Sequence, residues 1–226
     1  YRLVVTLCDE EGMVREISEV KTGFRRIEIR DKVIYMNDHR LYLCGVNRHE
    51  WSAKRGRAIT KAEMEADMAC ILRNNINAIR TCHYPDQLDW YSMCDEAGIY
   101  VMAETNMESH GSWGRWGINA SWNVPGSFPA WREVVLDRAK SNFEWLKNHP
   151  SILFWSLGNE SYAGENVCVR QLKAEREKFA AAHGFVGGEV IFVTDFAARE
   201  CAALGKSDRR ILGESAVHIG VADIGI

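Results

Sequence analysis

The spacing of apolar residues changes character near residue 40. Before it, short β-type runs dominate. Tyr1 to Thr6 and Val14 to Val20 flank the turn signal Asp9-Glu10-Glu11-Gly12. Gly23-Phe24-Arg25-Arg26-Ile27-Glu28-Ile29-Arg30 alternates apolar and charged positions, the pattern of a half-buried antiparallel strand. Val33-Ile34-Tyr35-Met36, followed by Asn37-Asp38, continues as a hairpin. Residues 1–38 are therefore expected to be the C-terminal strands of a β-sandwich domain, the alternative being a hairpin lid on the next domain.

From residue 41 the pattern becomes strand, helix, strand, helix. Leu41 to Val46 is expected as a buried strand ending in Asn47-Arg48-His49-Glu50. Thr60-Lys61-Ala62-Glu63 is a capping box, and Met64, Met68, Ile71 and Leu72 follow on one helical face. Ile76 to Arg80 is the next strand and ends at Cys82-His83-Tyr84. Pro85 opens a second helix, which Gly98 closes. Ile99 to Ala103 leads into Glu104-Thr105-Asn106-Met107-Glu108-Ser109-His110-Gly111. A long loop, roughly 112–128, carries Trp113, Trp116 and Trp122, which argue against disorder. A helix from Pro129 to Lys147 is expected to face inward through Trp131, Val135, Ala139, Phe143 and Leu146. Ile152-Leu153-Phe154-Trp155-Ser156-Leu157 is then apolar without helical period, a strand buried on both faces, and stops at Gly158-Asn159-Glu160-Ser161. The tail continues the alternation more weakly, with a helix over 165–183, a strand over 190–193, a helix over 196–204 and a short strand over 210–213.

Parallel strands with intervening helices either close a barrel or form an open doubly wound sheet. No glycine-rich phosphate loop follows the first strand, so the α/β barrel of (β/α)8 TIM type is favoured, incomplete at five or six strands and spanning residues 39–226.

Composition narrows the function. A net charge of −3 gives no electrostatic basis for binding nucleic acid or an anionic membrane. No apolar run approaches the ~20 residues of a membrane span. The Tyr1-Arg2-Leu3-Val4-Val5 start lacks the layout of a signal peptide. Seven cysteines is an odd count without a CxxC pair, and Cys70, Cys82 and Cys94 sit in apolar segments. They read as small core residues in a reduced, cytoplasmic compartment.

The chemistry gathers at strand ends: Asn47, His49, Glu50, His83, Glu104, Asn106, Glu108, His110, Asn159 and Glu160. A barrel brings such ends into one pocket. Amides and histidines bond hydroxyls, and indole faces cover the apolar face of a sugar ring. Glu160, at the mouth of an apolar strand, suits acid/base work. Glu108 and His110 fall on the same side of an extended segment, and with Glu160 they suit a hard divalent cation, Mg²⁺ or Mn²⁺.

Four motifs carry a more specific likeness: Gly45-Val46-Asn47-Arg48-His49-Glu50; Cys82-His83-Tyr84-Pro85; Glu104 to Gly111; and Asn148-His149-Pro150-Ser151 with Trp155 to Ser161. Together, over about residues 20–166, they resemble the family 2 glycoside hydrolases, on the β-galactosidase side of that family. The resemblance implies a retaining hydrolase of terminal β-D-galactosides. Glu160 would be the general acid/base, Asn159 would bond the sugar 2-hydroxyl, and His49 and His83 would contact the ring. Glu108, His110 and Glu160 would hold Mg²⁺, and residues 1–38 would end an immunoglobulin-like domain. β-Glucuronidase-like specificity on the same scaffold and a non-catalytic carbohydrate-binding remnant are the competing expectations.

The family nucleophile lies on a later strand in a Cys-Glu-Tyr-x-His pattern, which this chain lacks. The likeness fades after about Asn166, and residues 167–226 are of doubtful kinship. Glu214, in Ile211-Leu212-Gly213-Glu214-Ser215-Ala216-Val217-His218, faintly echoes the motif and is the candidate nucleophile. The chain is thus expected to be a fragment of its barrel, with open sheet edges that favour oligomers or self-association.

Overall fold

The computed structural model describes residues 1–109, 125, 128–160 and 191–193, the last three by backbone alone. Strands β1 (Arg2–Cys8) and β2 (Val14–Lys21) form an antiparallel hairpin. Its register pairs Leu3 with Val20 and Val5 with Ser18, which puts Leu3, Val5, Leu7 and Val20 on one face, all exposed. β3 (Ile27–Arg30), β4 (Val33–Met36) and β5 (His39–Arg40) make a small antiparallel sheet. Its two-residue turns, Asp31-Lys32 and Asn37-Asp38, hold all four residues at positive φ, as tight hairpins demand.

Five parallel strands follow among the described residues: β6 (Gly45–His49), β7 (Ala78–Cys82), β8 (Tyr100–Glu104), β9 (Ile152–Ser156) and β10 (Ile191–Val193). Each pairs with the next in chain order. A doubly wound sheet would reverse direction at a switch point; the described strands keep one direction of succession, as in a barrel wall. The first parallel strand begins later than its apolar run suggests. Residues 41–44 are held instead by the Asn77 side chain, whose Oδ1 accepts from Cys44 N at 2.7 Å and whose Nδ2 donates to Tyr42 O at 2.8 Å.

Among the described residues three helices cover the outer face: α1 (Lys61–Arg73), α2 (Leu88–Ala97) and α3 (Pro129–Leu146). The main core joins Met64, Met68 and Ile71 of α1, Trp90, Tyr91 and Cys94 of α2, and Leu146 of α3 to Ile79, Val101, Ile152 and Trp155 of the sheet. Helical spacing marked Leu72 and Trp131 as inward, yet they are 48% and 43% exposed, while Asn142 is buried. Cys82 and Cys94 are buried as expected, whereas Cys70 is exposed on α1. The second helix starts at Leu88, three residues after Pro85, because Asp86 is drawn into a buried ion pair with Arg48.

A second cluster joins Ile27 and Ile34 to Met102, Leu153 and Phe154, with Leu41, Leu43 and Tyr100 packed on it. The small β3–β5 sheet therefore covers the amino-terminal ends of the parallel strands. Their carboxyl ends remain for polar side chains.

The capping box of α1 forms as read. Thr60 Oγ1 accepts from Glu63 N, and Glu63 Oε2 accepts from Thr60 N at 2.8 Å. A hydrogen bond from Ser52 Oγ, and then those from Thr60, hold the Glu63 carboxyl down at about 2. A depressed carboxylate contributes stability above its unfolded value and loses it as pH falls through the folded one. Thermal melts from pH 5 to pH 2 should therefore show a smaller acid-induced loss of Tm in Glu63→Gln than in the wild type; parallel curves would contradict this.

Candidate active site at the strand ends

Arg80 and Glu104 stand at the centre of the polar cluster. Glu104 ends β8 and has no exposed surface. Its Oε2 accepts from Arg80 Nε at 2.6 Å and Ser156 Oγ at 2.7 Å, and its Oε1 lies 2.7 Å from His83 Nδ1. Its backbone N donates to Thr81 Oγ1 at 2.9 Å. Burial alone would raise the Glu104 pKa, but hydrogen bonds from His83, Arg80 and Ser156 and the Arg80 charge outweigh it and hold the carboxyl below its usual range. Strands β7, β8 and β9 thus share one ionised group.

Arg80 extends the network sideways. Its Nη2 donates to Asn159 Oδ1 at 2.9 Å, and its Nη1 reaches Asn47 Oδ1 at 3.5 Å, the outer limit of a hydrogen bond. With Oδ1 committed to Arg80, the Asn159 amide has its orientation set, and Nδ2 donates to Glu108 Oε1 at 3.1 Å. A parallel bridge joins Glu108 to Asn159, and Asn159 N donates to Met107 O at 2.9 Å. Glu160 follows at φ 39°, so the left-handed backbone turns the chain immediately after Asn159.

His49 and His83 face each other edge to face, with ring centroids 5.2 Å apart. Burial, then repulsion from His83 and Arg57, lowers the His49 pKa against the pull of Glu108, favouring a neutral ring. The Arg57 guanidinium lies over the Tyr84 ring, 4.3 Å from its centroid.

A second charged cluster supports these ends from behind. Arg48 Nη1 donates to Asp86 Oδ2 at 2.6 Å, Arg48 Nη2 donates to Asp67 Oδ2 at 2.9 Å, and its guanidinium stacks 3.8 Å above Trp90. Burial pushes the Asp86 carboxyl up to about 7 against the pull of Arg48. Glu50 accepts from Gln87 N at 2.8 Å, which makes it a loop anchor. His149, from the Asn-His-Pro motif, sits 2.6 Å from Asp95 and ties α2 to the start of β9.

The fold therefore brings His49, His83, Asn159, Glu108 and Glu160 to one end of the sheet. His110, Glu214 and the loop tryptophans 113, 116 and 122 lie outside the described residues. Among the described residues no group of three His, Cys, Asp or Glu side chains gathers in metal-binding geometry. Glu108 is bridged to Asn159, the residue before Glu160, and both glutamates belong by chemistry to the oxygen ligands a hard cation takes. Arg80 and Ser156 were missed by motif reading. Their signal was an arginine in an apolar strand, with a glutamate at the same end of the next one.

Gly158 permits the Glu108–Asn159 contact. At φ 141°, a Cβ there would lie 2.5 Å from Met107 O. Gly158→Ala should lower unfolding free energy by about 1–3 kcal/mol in urea titration. An unchanged midpoint would contradict the close approach.

Comparison with known proteins agrees with this geometry. The family model for glycosyl hydrolases family 2, TIM barrel domain, matches residues 27–176. The β-galactosidase large subunit of Leuconostoc lactis is 60% identical over 173 residues, covering 76% of this chain and 28% of the relative. A β-galactosidase of Clostridium acetobutylicum is 53% identical over 168 residues, covering 74% of this chain and 19% of the relative. Among solved structures, the Ruminococcus gnavus β-glucuronidase superposes with a TM-score of 0.69 at 26% identity, over 86% of this chain and 32% of that one. The chain thus spans less than a third of the length of these proteins. From the family match and these identities together, the chain belongs to the family 2 glycoside hydrolases and carries part of their TIM barrel domain.

Proposed function

We propose that this chain contributes the acid/base side of a retaining β-galactosidase site. The observation that carries this reading is the Arg80-held Asn159, followed directly by Glu160, beside the His49–His83 pair. Glu160 would protonate the departing glycosidic oxygen and later deprotonate the incoming water. Asn159, its amide oriented by Arg80, would bond the 2-hydroxyl of the sugar, as the family resemblance implies. A neutral His49 offers one donor and one acceptor to ring hydroxyls. A retaining mechanism needs a second carboxylate ~5–5.5 Å from the first, and Glu214 is the candidate.

Glu108, Glu160 and His110 would hold Mg²⁺, which when bound would supply positive charge beside the acid/base. The uncovered apolar face of the β1–β2 hairpin supports its reading as the edge of a sandwich, of immunoglobulin type by the family likeness. Relatives named as a large subunit support assembly with a further subunit. No helix among the described residues is long and apolar enough to cross a membrane.

Galactoside specificity rests on relatives of 53–60% identity, against 26% for the solved β-glucuronidase. The β-glucuronidase alternative draws on that solved likeness. The test is hydrolysis of an aryl β-galactoside with Mg²⁺ by the purified protein, beside Glu160→Gln and the matched β-glucuronide. Expected are turnover that Glu160→Gln lowers by roughly 10²–10⁴-fold and a lower kcat/KM on the glucuronide. Equal rates in both proteins, or preference for the glucuronide, would contradict it.

A further inference from the structure

His83 reaches the site through a carboxylate that cannot touch substrate. Glu104 is wholly enclosed, and its Oε2 accepts from Arg80 and Ser156 at 2.6 and 2.7 Å. Arg80 is a donor only, so this oxygen bears no proton. The other oxygen, Oε1, sits 2.7 Å from His83 Nδ1, a distance that requires a hydrogen between them. The competing arrangement would have Nδ1 accept from Arg80 Nη2, but that contact is 3.5 Å long. The shorter, charge-assisted bond prevails.

We propose that Glu104 is a positioning residue that fixes His83 with a hydrogen on Nδ1, so that in its neutral form the ring presents Nε2 as an acceptor to a sugar hydroxyl. The ring is partly exposed and stands against His49, so Nε2 is the nitrogen left for an outside partner. A hydroxyl that must donate is thereby selected over a group that can only accept, such as a carboxylate. The assignment rests on the glycosidase reading for its substrate, but not for its tautomer.

Glu104→Gln separates the possibilities at nearly constant shape. Glutamine has one oxygen. If that oxygen accepts from Arg80 and Ser156, its amide nitrogen faces His83 Nδ1, which must then accept, and the ring hydrogen moves to Nε2. The experiment is long-range ¹H–¹⁵N imidazole spectroscopy of the full chain at pH 8, assigned with His83→Gln. Expected is a wild-type His83 with protonated Nδ1 and bare Nε2, and a folded Glu104→Gln in which the two exchange. Where turnover is measured, kcat/KM on the aryl β-galactoside should fall roughly 10- to 100-fold. A wild-type ring with bare Nδ1, or a folded variant with an unchanged ring, would overturn the proposal. If Glu104→Gln does not fold, the wild-type spectrum alone decides. A protein without glycosidase activity that still shows protonated Nδ1 would sink the functional reading and leave the Glu104 assignment standing.

Discussion

A fully enclosed carboxylate dominates this structure. Isolated in an apolar interior, an ionised Glu104 would cost far more than any single contact returns, so its partners are obligatory. Arg80, His83 and Ser156 supply them, and they come from the middle of β7, the turn after it, and the end of β9. The position of Glu104 therefore fixes three chain segments at once. The guanidinium passes that order on to Asn159, and Asn159 passes it to Glu108. Side chains separated by some eighty residues of sequence come to share one hydrogen-bonded unit.

The two ends of the strands divide the labour. At the amino-terminal ends, Ile27 and Ile34 pack on Met102, Leu153 and Phe154, and the contacts are apolar. At the carboxyl ends the contacts are charged and directional. Arg48 plays a supporting part there, holding Asp86, Asp67 and the Trp90 face together behind His49 and His83. Rigid support of this kind places side chains for chemistry better than loops can.

Much of this was legible in the sequence. Apolar runs ending in polar clusters located four parallel strands and the chemical end of each. The Thr60–Glu63 box marked a helix start to the residue. The failures have physical causes. Helical spacing names a face but not its width, so Leu72 and Trp131 were placed inward although the sheet covers less of each helix. The run from Leu41 looked like strand because its backbone is extended, yet Asn77 satisfies it through a side chain. Arg80 escaped notice because its meaning depends on strand register: β7 pairs in parallel with β8, and only that pairing brings Arg80 beside Glu104. His110 and Glu214, read from motifs, lie outside the described residues.

The most direct test of the central claim is a double-mutant cycle on stability, with Arg80→Met, Glu104→Gln and the pair together in urea titrations. Each single change takes the 2.6 Å ion pair from a buried partner, so each should cost about 3–5 kcal/mol, and the double variant should cost clearly less than the sum. Small, additive losses would mean that the strand ends are held by apolar packing alone and that the buried pair organises nothing.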